Sequence, residues 1–406
     1  MSYIEATKNK NQQRSLDTGL YCETSMALED VIRQARSFIS MNDFKQALKV
    51  LKPYKKFLQN ENANNIPLLE VYADIYLEDG KIEKAYSLLI KACELDSTGK
   101  IGGCGKFFTL GQIIGGIDGV HTIRKGIENI YRIYEARIPQ DQVDMVISGL
   151  LSMIEIWMTD LCMEADAESQ CEEAITKALE ISEGKSPEAW SMLGSIRISQ
   201  QNIAEAATAL TKAWEFFQQK KKMMEQALKG EISIDNPKLH ADYIELLQPL
   251  LSLAKMSVEL GLYDNAIQIL FAVKDLDEDN IEAYYLEGFI YYLTCKLDLF
   301  KIQNPTIDIS PANVYEFNQK FQDLPLELTS EALQESIHDA RIALSFALKL
   351  GENCDPEDEV SQELIQGAHS LLVELGGSVD VKELIKVKHG DDINEQDELD
   401  LNTIEE

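Results

Sequence analysis

The sequence predicts an all-α protein built of stacked helical hairpins, an α-solenoid. Between residues 27 and 375, most segments repeat their apolar residues at the helical period, and no run alternates apolar and polar residues as a half-buried strand would. Small and large apolar residues also recur in a pattern about one hairpin long. Hairpins that cannot bury their apolar faces alone bury them by stacking, so the repeat favours a solenoid over separate globular domains.

The repeat is most complete in the segment that starts at Ile66. Its diagnostic large and small positions are filled by Leu69, Tyr72, Ala73, Tyr76, Ala85, Leu89 and Ala92. This spacing resembles the TPR motif, in which small residues let helix A and helix B of a hairpin approach closely. A second copy starts at Pro187 and departs from the pattern at Arg197, and weaker copies begin at Leu28 and Leu247.

Three further copies are irregular. In one of them helix A is cut short at Gly115-Gly116, and we expect the array to bend there. Another copy lies at residues 143–182. In the copy that starts at Ile281, helix B falls about forty residues late, which predicts an insertion at 296–330, where prolines break helices. A last helix over about 357–375 is predicted to cap the apolar end of the array.

The predicted organisation has three parts. A disordered polar segment spans 1–24, a TPR-like superhelix spans 25–375, and an acidic, largely disordered tail spans 376–406. Residues 391–406 contain eight Asp or Glu and no Lys or Arg, a composition too polar to bury. No apolar run is long enough to span a bilayer, the start lacks a signal-peptide core, and the seven cysteines never form a Cys-x-x-Cys pair. We therefore expect an intracellular protein with reduced thiols.

Charge narrows the choice of partners. The chain carries 38 Lys and Arg against 69 Asp and Glu, a formal net charge of −31. This charge repels a phosphate backbone and a negatively charged membrane surface, so we expect no direct nucleic-acid or membrane partner. The excess of Asp and Glu lies after residue 60, because the first sixty residues carry ten Lys or Arg and six Asp or Glu. The field suits a basic partner, although an ordinary acidic surface explains the composition equally well.

No catalytic, cofactor or metal site is predicted. The glycine segment 99–106 fails as a phosphate-binding loop, because Lys100 stands where the first glycine belongs and Phe107 follows Lys106 in place of Ser or Thr. The five histidines have no spacing that sets two on one helical face as metal ligands. Nothing groups a nucleophile with a base. We expect a protein that is not an enzyme, and an enzyme using the glycine segment is the weaker alternative.

The predicted protein-binding site is the inner surface of the array, lined by helix A of each repeat. Glu70, Asp74 and Glu78 fall four apart and form one acidic stripe. Like charges at this spacing destabilise an isolated helix by a few tenths of a kcal/mol each, so a function is favoured over a merely solvated surface. Equivalent positions on other repeats are held by Asp160, Glu164, Glu188, Glu282, Tyr285, Phe289 and Tyr292. The aromatic rings suit the stems of Lys and Arg, and core packing explains them equally well.

Two local segments are more specific than the repeat. One runs from Lys106 to Gln112 and is followed by Gly115-Gly116 and Gly126-Ile127, and the other runs from Ile156 to Cys162 and continues through Asp166-Ala167-Glu168. Both resemble the TPR assembly chaperones dedicated to large-subunit ribosomal protein four, over most of the solenoid. The resemblance implies a protein of the cytoplasm and nucleus that captures newly made ribosomal protein four. It would shield the long basic loop of that client and escort it to the pre-ribosome.

An acidic groove suits such a client, because it competes with RNA for the Lys and Arg side chains of a basic protein. We expect a monomer apart from this client. The alternative is a structural TPR scaffold subunit of a stable complex, with a hydrophobic groove. TPR proteins that hold heat-shock chaperone tails clamp a carboxylate with Lys and Asn, but Glu70 and Asp74 stand there and would repel it. The run Lys220-Lys221-Lys222 is either a weak nuclear-import signal or a solvated helix end.

Overall fold

The described part of the chain is helical and contains no strand, which confirms the predicted all-α fold class. A computed structural model describes residues 28–39, 41, 43–135, 137–233, 239–310 and 313–389. The segments predicted to be disordered at 1–24 and 391–406 lie outside these residues. The chain divides into two compact units, Met1–Lys185 and Ser186–Glu406. No helix among the described residues has the length and apolar character that a membrane crossing requires.

Unit 1 is built of antiparallel helices that follow one another as A and B partners. They are α1 (28–39), α2 (Phe44–Leu51), α3 (Ile66–Glu78), α4 (Ile82–Leu95), α5 (Gly105–Ile114), α6 (Gly116–Tyr134), α7 (Gln140–Met158) and α8 (Ala167–Ile181). A 3₁₀ helix, Lys52–Gln59, continues α2. The hairpins α3–α4, α5–α6 and α7–α8 stack on one another, since α4 also packs on α5 and α6 on α7.

Helix α3 shows how the repeat positions build a hairpin. The Asn65 side chain accepts a hydrogen bond from the Leu68 N–H at 3.0 Å and caps the helix, and Pro67 occupies its first turn. The pattern residue Tyr72 is almost completely buried, and its hydroxyl donates to the Leu51 carbonyl at 2.6 Å. The chain leaves the helix at Gly80, whose φ of 65° suits glycine. Helix capping and the burial of the repeat residues therefore both stabilise this hairpin.

Helix α5 ends early, as the sequence predicts. Gly115 has a φ of 66° and separates α5 from α6. The two helices then cross closely, because a Cβ on Gly111 would lie 2.7 Å from the Gly119 carbonyl oxygen, and one on Gly119 would lie 2.4 Å from that of Gly111. Only glycine allows this approach, so α5 is short and its backbone packs directly against that of α6.

Unit 2 contains the remaining helices. They are α9 (Pro187–Ser199), α10 (Ile203–Leu228), α11 (Leu239–Ile244), α12 (Leu247–Glu259), α13 (Tyr263–Leu276), α14 (Ile281–Gln303), α15 (Asn318–Gln322), α16 (Gln334–Gly351), α17 (Glu359–Glu374) and α18 (Val381–His389). Short 3₁₀ helices lie at Val314–Phe317 and Glu331–Leu333. The hairpins are α9–α10, α12–α13 and α14–α16, and α17 packs on both α14 and α16.

The predicted insertion is packed into unit 2. Its first residues, from 296 to 303, extend α14 and bury Phe300, and the side chain of Phe321 on α15 is completely buried. Helix B of this repeat is α16, as predicted, because a Cβ on Gly288 would lie 2.5 Å from the Leu344 side chain. The 40-residue delay in the pattern therefore represents a longer helix A and a packed connection.

The described helices continue past the boundary predicted at residue 375. Helix α17 occupies the position predicted for a cap, and α18 follows within the segment assigned to the tail. Val379 and Leu384 are buried, and the Val379 N–H donates to the Ser345 hydroxyl at 3.0 Å. The predicted tail therefore begins too early, because two apolar residues among many charges suffice to hold this segment against α16.

Candidate functional site

The first residue of the predicted acidic stripe is buried. Glu70 is 8% exposed and lies between two cations: Lys106 Nζ is 3.1 Å from Oε1, and an Arg36 guanidinium nitrogen is 3.3 Å from Oε2. Burial raises the pKa of Glu70, although the ammonium of Lys106 opposes the change. This corrects the prediction that Glu70 lines an open groove, because its carboxylate is occupied by ion pairs inside unit 1.

Lys106 is the centre of this cluster. Its side chain is completely buried, and its ammonium also lies 2.9 Å from Asp96 Oδ2 and donates to the Gly103 carbonyl at 2.6 Å. Burial opposes ionisation of Asp96, but hydrogen bonds from Lys106 and from the N–H groups of Gly102 and Ile101 outweigh it and hold its pKa at about 2. We call Arg36, Glu70, Asp96 and Lys106 the Lys106 cluster. It joins α1, α3, the end of α4 and α5.

The glycine segment is explained by this cluster. Backbone N–H groups of Lys100, Ile101 and Gly102 donate to the Asp96 carboxylate at 3.0–3.2 Å. A Cβ on Gly102 would lie 2.0 Å from a Glu70 carboxylate oxygen. The loop therefore wraps a carboxylate of the protein itself. Sequence reasoning missed this role, although a lysine directly after a glycine-rich segment was a visible signal.

The remaining two residues of the stripe are exposed. Asp74 and Glu78 follow Glu70 by one and two turns on α3. Asp74 is near enough to act on the Glu70 carboxyl, whose pKa it raises slightly. Both stay predicted binding residues, and the stripe is shorter than the sequence suggests.

A second acidic surface lies on α7 and the loop to α8. Residues 138–176 contain nine Asp or Glu and no Lys or Arg. The predicted residues Asp160 and Glu164 are both exposed in this loop, beside Met163, which is 93% exposed. The Asp160 carboxylate also accepts a hydrogen bond from the Gly116 N–H at 2.8 Å, at the start of α6. Asp160 thus fixes the loop against the α5–α6 turn and presents Glu164 to solvent.

In unit 2 the predicted acidic residues already have cation partners. The carboxylate of Glu188 lies 2.5 Å from Lys220 Nζ, and that of Glu282 lies 2.5 Å from Lys255 Nζ. Both glutamates are half-buried, so little of their charge faces a ligand. Lys221 is buried between Glu225 and Asp275. These ion pairs argue against the nuclear-import interpretation of the lysine run, since they hold Lys220 and Lys221 within the folded unit.

Two rings of the predicted aromatic surface on α14 pack against α17. The rings of Tyr285, Phe289 and Tyr292 stack with centroids 6.3 and 6.4 Å apart. The Tyr292 hydroxyl donates to the Glu374 carboxylate at 2.6 Å, and a Cβ on Gly367 would lie 3.0 Å from the Tyr285 ring. This corrects the prediction of an open client surface at Tyr285 and Tyr292, because both rings contact the capping helix α17. Phe289 is half-buried and stays a predicted binding residue.

The predicted site residues that stay exposed in unit 1 are therefore carboxylates without nucleophilic or metal-binding geometry. Among the described residues, no three His, Cys, Asp or Glu side chains come together as metal ligands. The negative charge of the exposed carboxylates suits ammonium and guanidinium groups. These residues are Asp74 and Glu78 on α3, and Asp160 and Glu164 in the loop after α7.

Comparisons with known proteins agree with the resemblance seen in the sequence. Residues 279–400 match the family model of the ACL4 C-terminal domain. A probable assembly chaperone of rpl4 from Emericella nidulans is 27% identical over 274 residues, 66% of this chain and 65% of that protein. One from Schizosaccharomyces pombe is 28% identical over 227 residues, 55% of this chain and 62% of that protein. The chain thus spans somewhat less than two thirds of the length of these curated relatives.

A solved structure supports the fold. The Assembly Chaperone of RpL4 (Acl4), residues 1–338, matches with a TM-score of 0.50 and 23% sequence identity, over 67% of this chain and 98% of that chain. At this identity the match bears on the fold alone. Together, the comparisons confirm that this chain is similar to the TPR-like assembly chaperones of ribosomal protein four.

Proposed function

We propose that this chain is a dedicated, non-enzymatic chaperone of large-subunit ribosomal protein four. It binds the newly made basic protein in the cytoplasm, shields its basic segment and escorts it to pre-ribosome assembly in the nucleus. The observation that carries this proposal is the similarity to two curated relatives that are both named probable assembly chaperones of rpl4.

Charge supplies the mechanism of shielding. A basic ribosomal protein binds RNA through its Lys and Arg side chains, and an acidic chaperone competes for the same groups. In unit 1, the exposed carboxylates of Asp74 and Glu78 stand on α3, which the Lys106 cluster holds through Glu70, and that of Glu164 lies in the loop after α7. A backbone that is already fixed need not be ordered on binding, so more of the attraction of these carboxylates appears as affinity.

Release follows from the same competition. The rRNA site of a ribosomal protein offers many phosphates together with shape-specific contacts. When that site supplies more contacts than the chaperone does, the client transfers to rRNA. This mechanism needs no nucleotide or other cofactor.

The proposal is tested by reversing charge on α3. In Asp74→Lys/Glu78→Lys, attraction to the client becomes repulsion, and we expect the affinity for purified ribosomal protein four to fall at least tenfold. The buried residues of α3 are unchanged, so thermal melting is expected to stay within a few degrees of wild type.

The matched control reverses two exposed glutamates on helix B of the same hairpin, Glu83→Lys/Glu94→Lys. Both variants change the net charge by the same amount, so a general charge effect weakens them equally. If the α4 variant loses binding and the α3 variant keeps it, the client surface is on the other face. If wild type does not bind ribosomal protein four at all, the proposed function is wrong.

A further inference from the structure

One segment of this acidic protein has the opposite charge. Lys45 and Lys49 on α2 are followed by Lys52, Lys55 and Lys56 on the 3₁₀ helix that continues it. All five side chains are exposed. No Asp or Glu occurs between Asp43 and Glu61. We call these five residues the lysine stripe.

Their spacing places them on one side of the segment. Lys45, Lys49, Lys52 and Lys56 follow one another at intervals of four, three and four residues, which is the period of a helical face. The rises of an α-helix and a 3₁₀ helix give the stripe a length of roughly 18 Å. The apolar residues Ala47 and Leu51 are buried on the side that faces the fold.

The lysines have no partners within the described part of the chain. None of the five takes part in an ion pair or side-chain hydrogen bond with another described residue, whereas Lys106, Lys221 and Lys296 are buried in ion pairs. Asp43, two residues before Lys45, uses its carboxylate to cap α2 by accepting from the Gln46 N–H. Five like charges held together repel one another and cost stability, so a ligand is the better reason for the stripe.

We infer that the lysine stripe binds the phosphate backbone of a nucleic acid, without regard to base sequence. A phosphate backbone needs only point charges, which lysine supplies. In a duplex each strand carries one phosphate per about 3.4 Å, so the stripe faces about five phosphates.

Two other partners fit less well. A membrane-binding helix requires an exposed apolar face, but no large hydrophobic side chain described between residues 43 and 56 is exposed. Protein interfaces are centred on aromatic, Met and Arg anchors and are depleted in Lys, so a surface of lysines alone does not match one.

The net charge of −31 predicts no direct nucleic-acid partner, and the lysine stripe is a local exception to this prediction. At physiological ionic strength, exposed charges are screened beyond about 8 Å, so carboxylates farther away weaken phosphate binding without abolishing it. Binding of nucleic acid by the lysine stripe is an activity beyond the proposed function and does not require the client. A chaperone with such a stripe would hold its client and an RNA at the same time.

The test uses the full chain, labelled 20-nucleotide single-stranded RNA and DNA of equal sequence, and fluorescence anisotropy at 50–300 mM salt. We expect binding that weakens steeply with salt, by a logarithmic slope of about −0.7 for each neutralised phosphate. Replacing all five lysines by Gln should weaken it at least tenfold and flatten the slope. RNA and DNA arms show whether the 2′-hydroxyl contributes.

The control removes five exposed lysines elsewhere, Lys100, Lys177, Lys185, Lys229 and Lys382, also as Gln. Both variants have the same net charge and leave the buried residues intact. The inference is overturned if wild type binds neither oligonucleotide at 50 mM salt, or if the control loses as much affinity as the stripe variant. Stripe-dependent binding to phosphatidylserine vesicles or to polyglutamate, without binding to oligonucleotides, would replace nucleic acid by a membrane or an acidic protein.

Discussion

At the scale of single residues, Lys106 joins parts of unit 1 that are far apart in sequence. One ammonium group contacts Glu70 on α3, Asp96 after α4 and a carbonyl of the glycine segment. Without the Lys106 ammonium, the carboxylates of Glu70 and Asp96 would stay buried with less cationic charge beside them. The folded state would then be much less stable than it is with the intact cluster. The cluster therefore sets how the second and third hairpins meet.

Replacing Lys106 by Met removes this cation while keeping most of the side-chain volume. We expect a loss of about 3–5 kcal/mol in stability, because buried charges are left unpaired. Urea unfolding followed by circular dichroism measures it. Lys100→Met, at an exposed lysine of the same loop, should change stability by less than about 0.5 kcal/mol. Equal effects of the two substitutions would show that the cluster contributes little.

Asp96 makes part of this stability depend on pH. Its pKa of about 2 in the folded state is below the ordinary value of 3.8, so its contribution is complete above the ordinary value and is lost as pH falls toward 2. We expect Asp96→Asn to cost about 1 kcal/mol less at pH 3 than at pH 6, measured as the difference from wild type in urea. A cost that does not change with pH would mean that the pKa of Asp96 is the same in the folded and unfolded states.

The amino-acid sequence indicates which residues are buried better than it indicates what their side chains contact. The repeat pattern correctly marked Leu69, Tyr72 and Ala73 as core, because their periodicity is fixed by the helix itself. It also placed Glu70 in an open groove, where the structure shows a buried ion pair. The partner of a charged residue comes from another hairpin, and no local pattern records that neighbour.

At the scale of helices, the aromatic residues of α14 show the same thing: a local pattern does not reveal which distant helix contacts them. Tyr285 and Tyr292 occupy positions that face a ligand in a regular repeat, but α17 lies over them. The sequence predicted a capping helix at the right place, yet it could not show which rings that helix covers. By contrast, the early end of α5 was predictable, because adjacent glycines act locally.

The close crossing of α5 and α6 gives a test at this scale. We expect Gly119→Ala to destabilise the protein by about 1–3 kcal/mol, because the new methyl group would meet the Gly111 carbonyl oxygen at 2.4 Å. The control is Gly105→Ala at the start of α5, where a Cβ would have no neighbour within 4 Å. That variant should be as stable as wild type or slightly more so. If Gly119→Ala and Gly105→Ala have the same melting temperature, α5 and α6 can move apart without a loss of stability.

At the scale of the whole molecule, charge is unevenly distributed along the chain. The first sixty residues are net basic, while residues 391–406 carry eight acidic residues and no basic ones. A basic client and a nucleic acid would therefore meet different parts of one chain. This division was visible in the sequence, but the exposure and lack of partners of the lysine stripe needed the structure.

The acidic segment 391–406 should act on the rate at which a basic client arrives. Exposed charges attract a client over a distance comparable to the Debye length, which speeds encounter more than it strengthens a docked complex. Deleting these residues should lower the association rate constant several-fold at 50 mM salt and leave the dissociation rate nearly unchanged, as measured by stopped-flow fluorescence. The difference from wild type should disappear near 1 M salt, where the Debye length is about 3 Å. The circular dichroism melting curve should not change, because eight carboxylates without a cation are too polar to pack. An unfolded truncation, or a faster dissociation rate at every salt concentration, would show instead that these residues belong to the folded protein or to the docked interface.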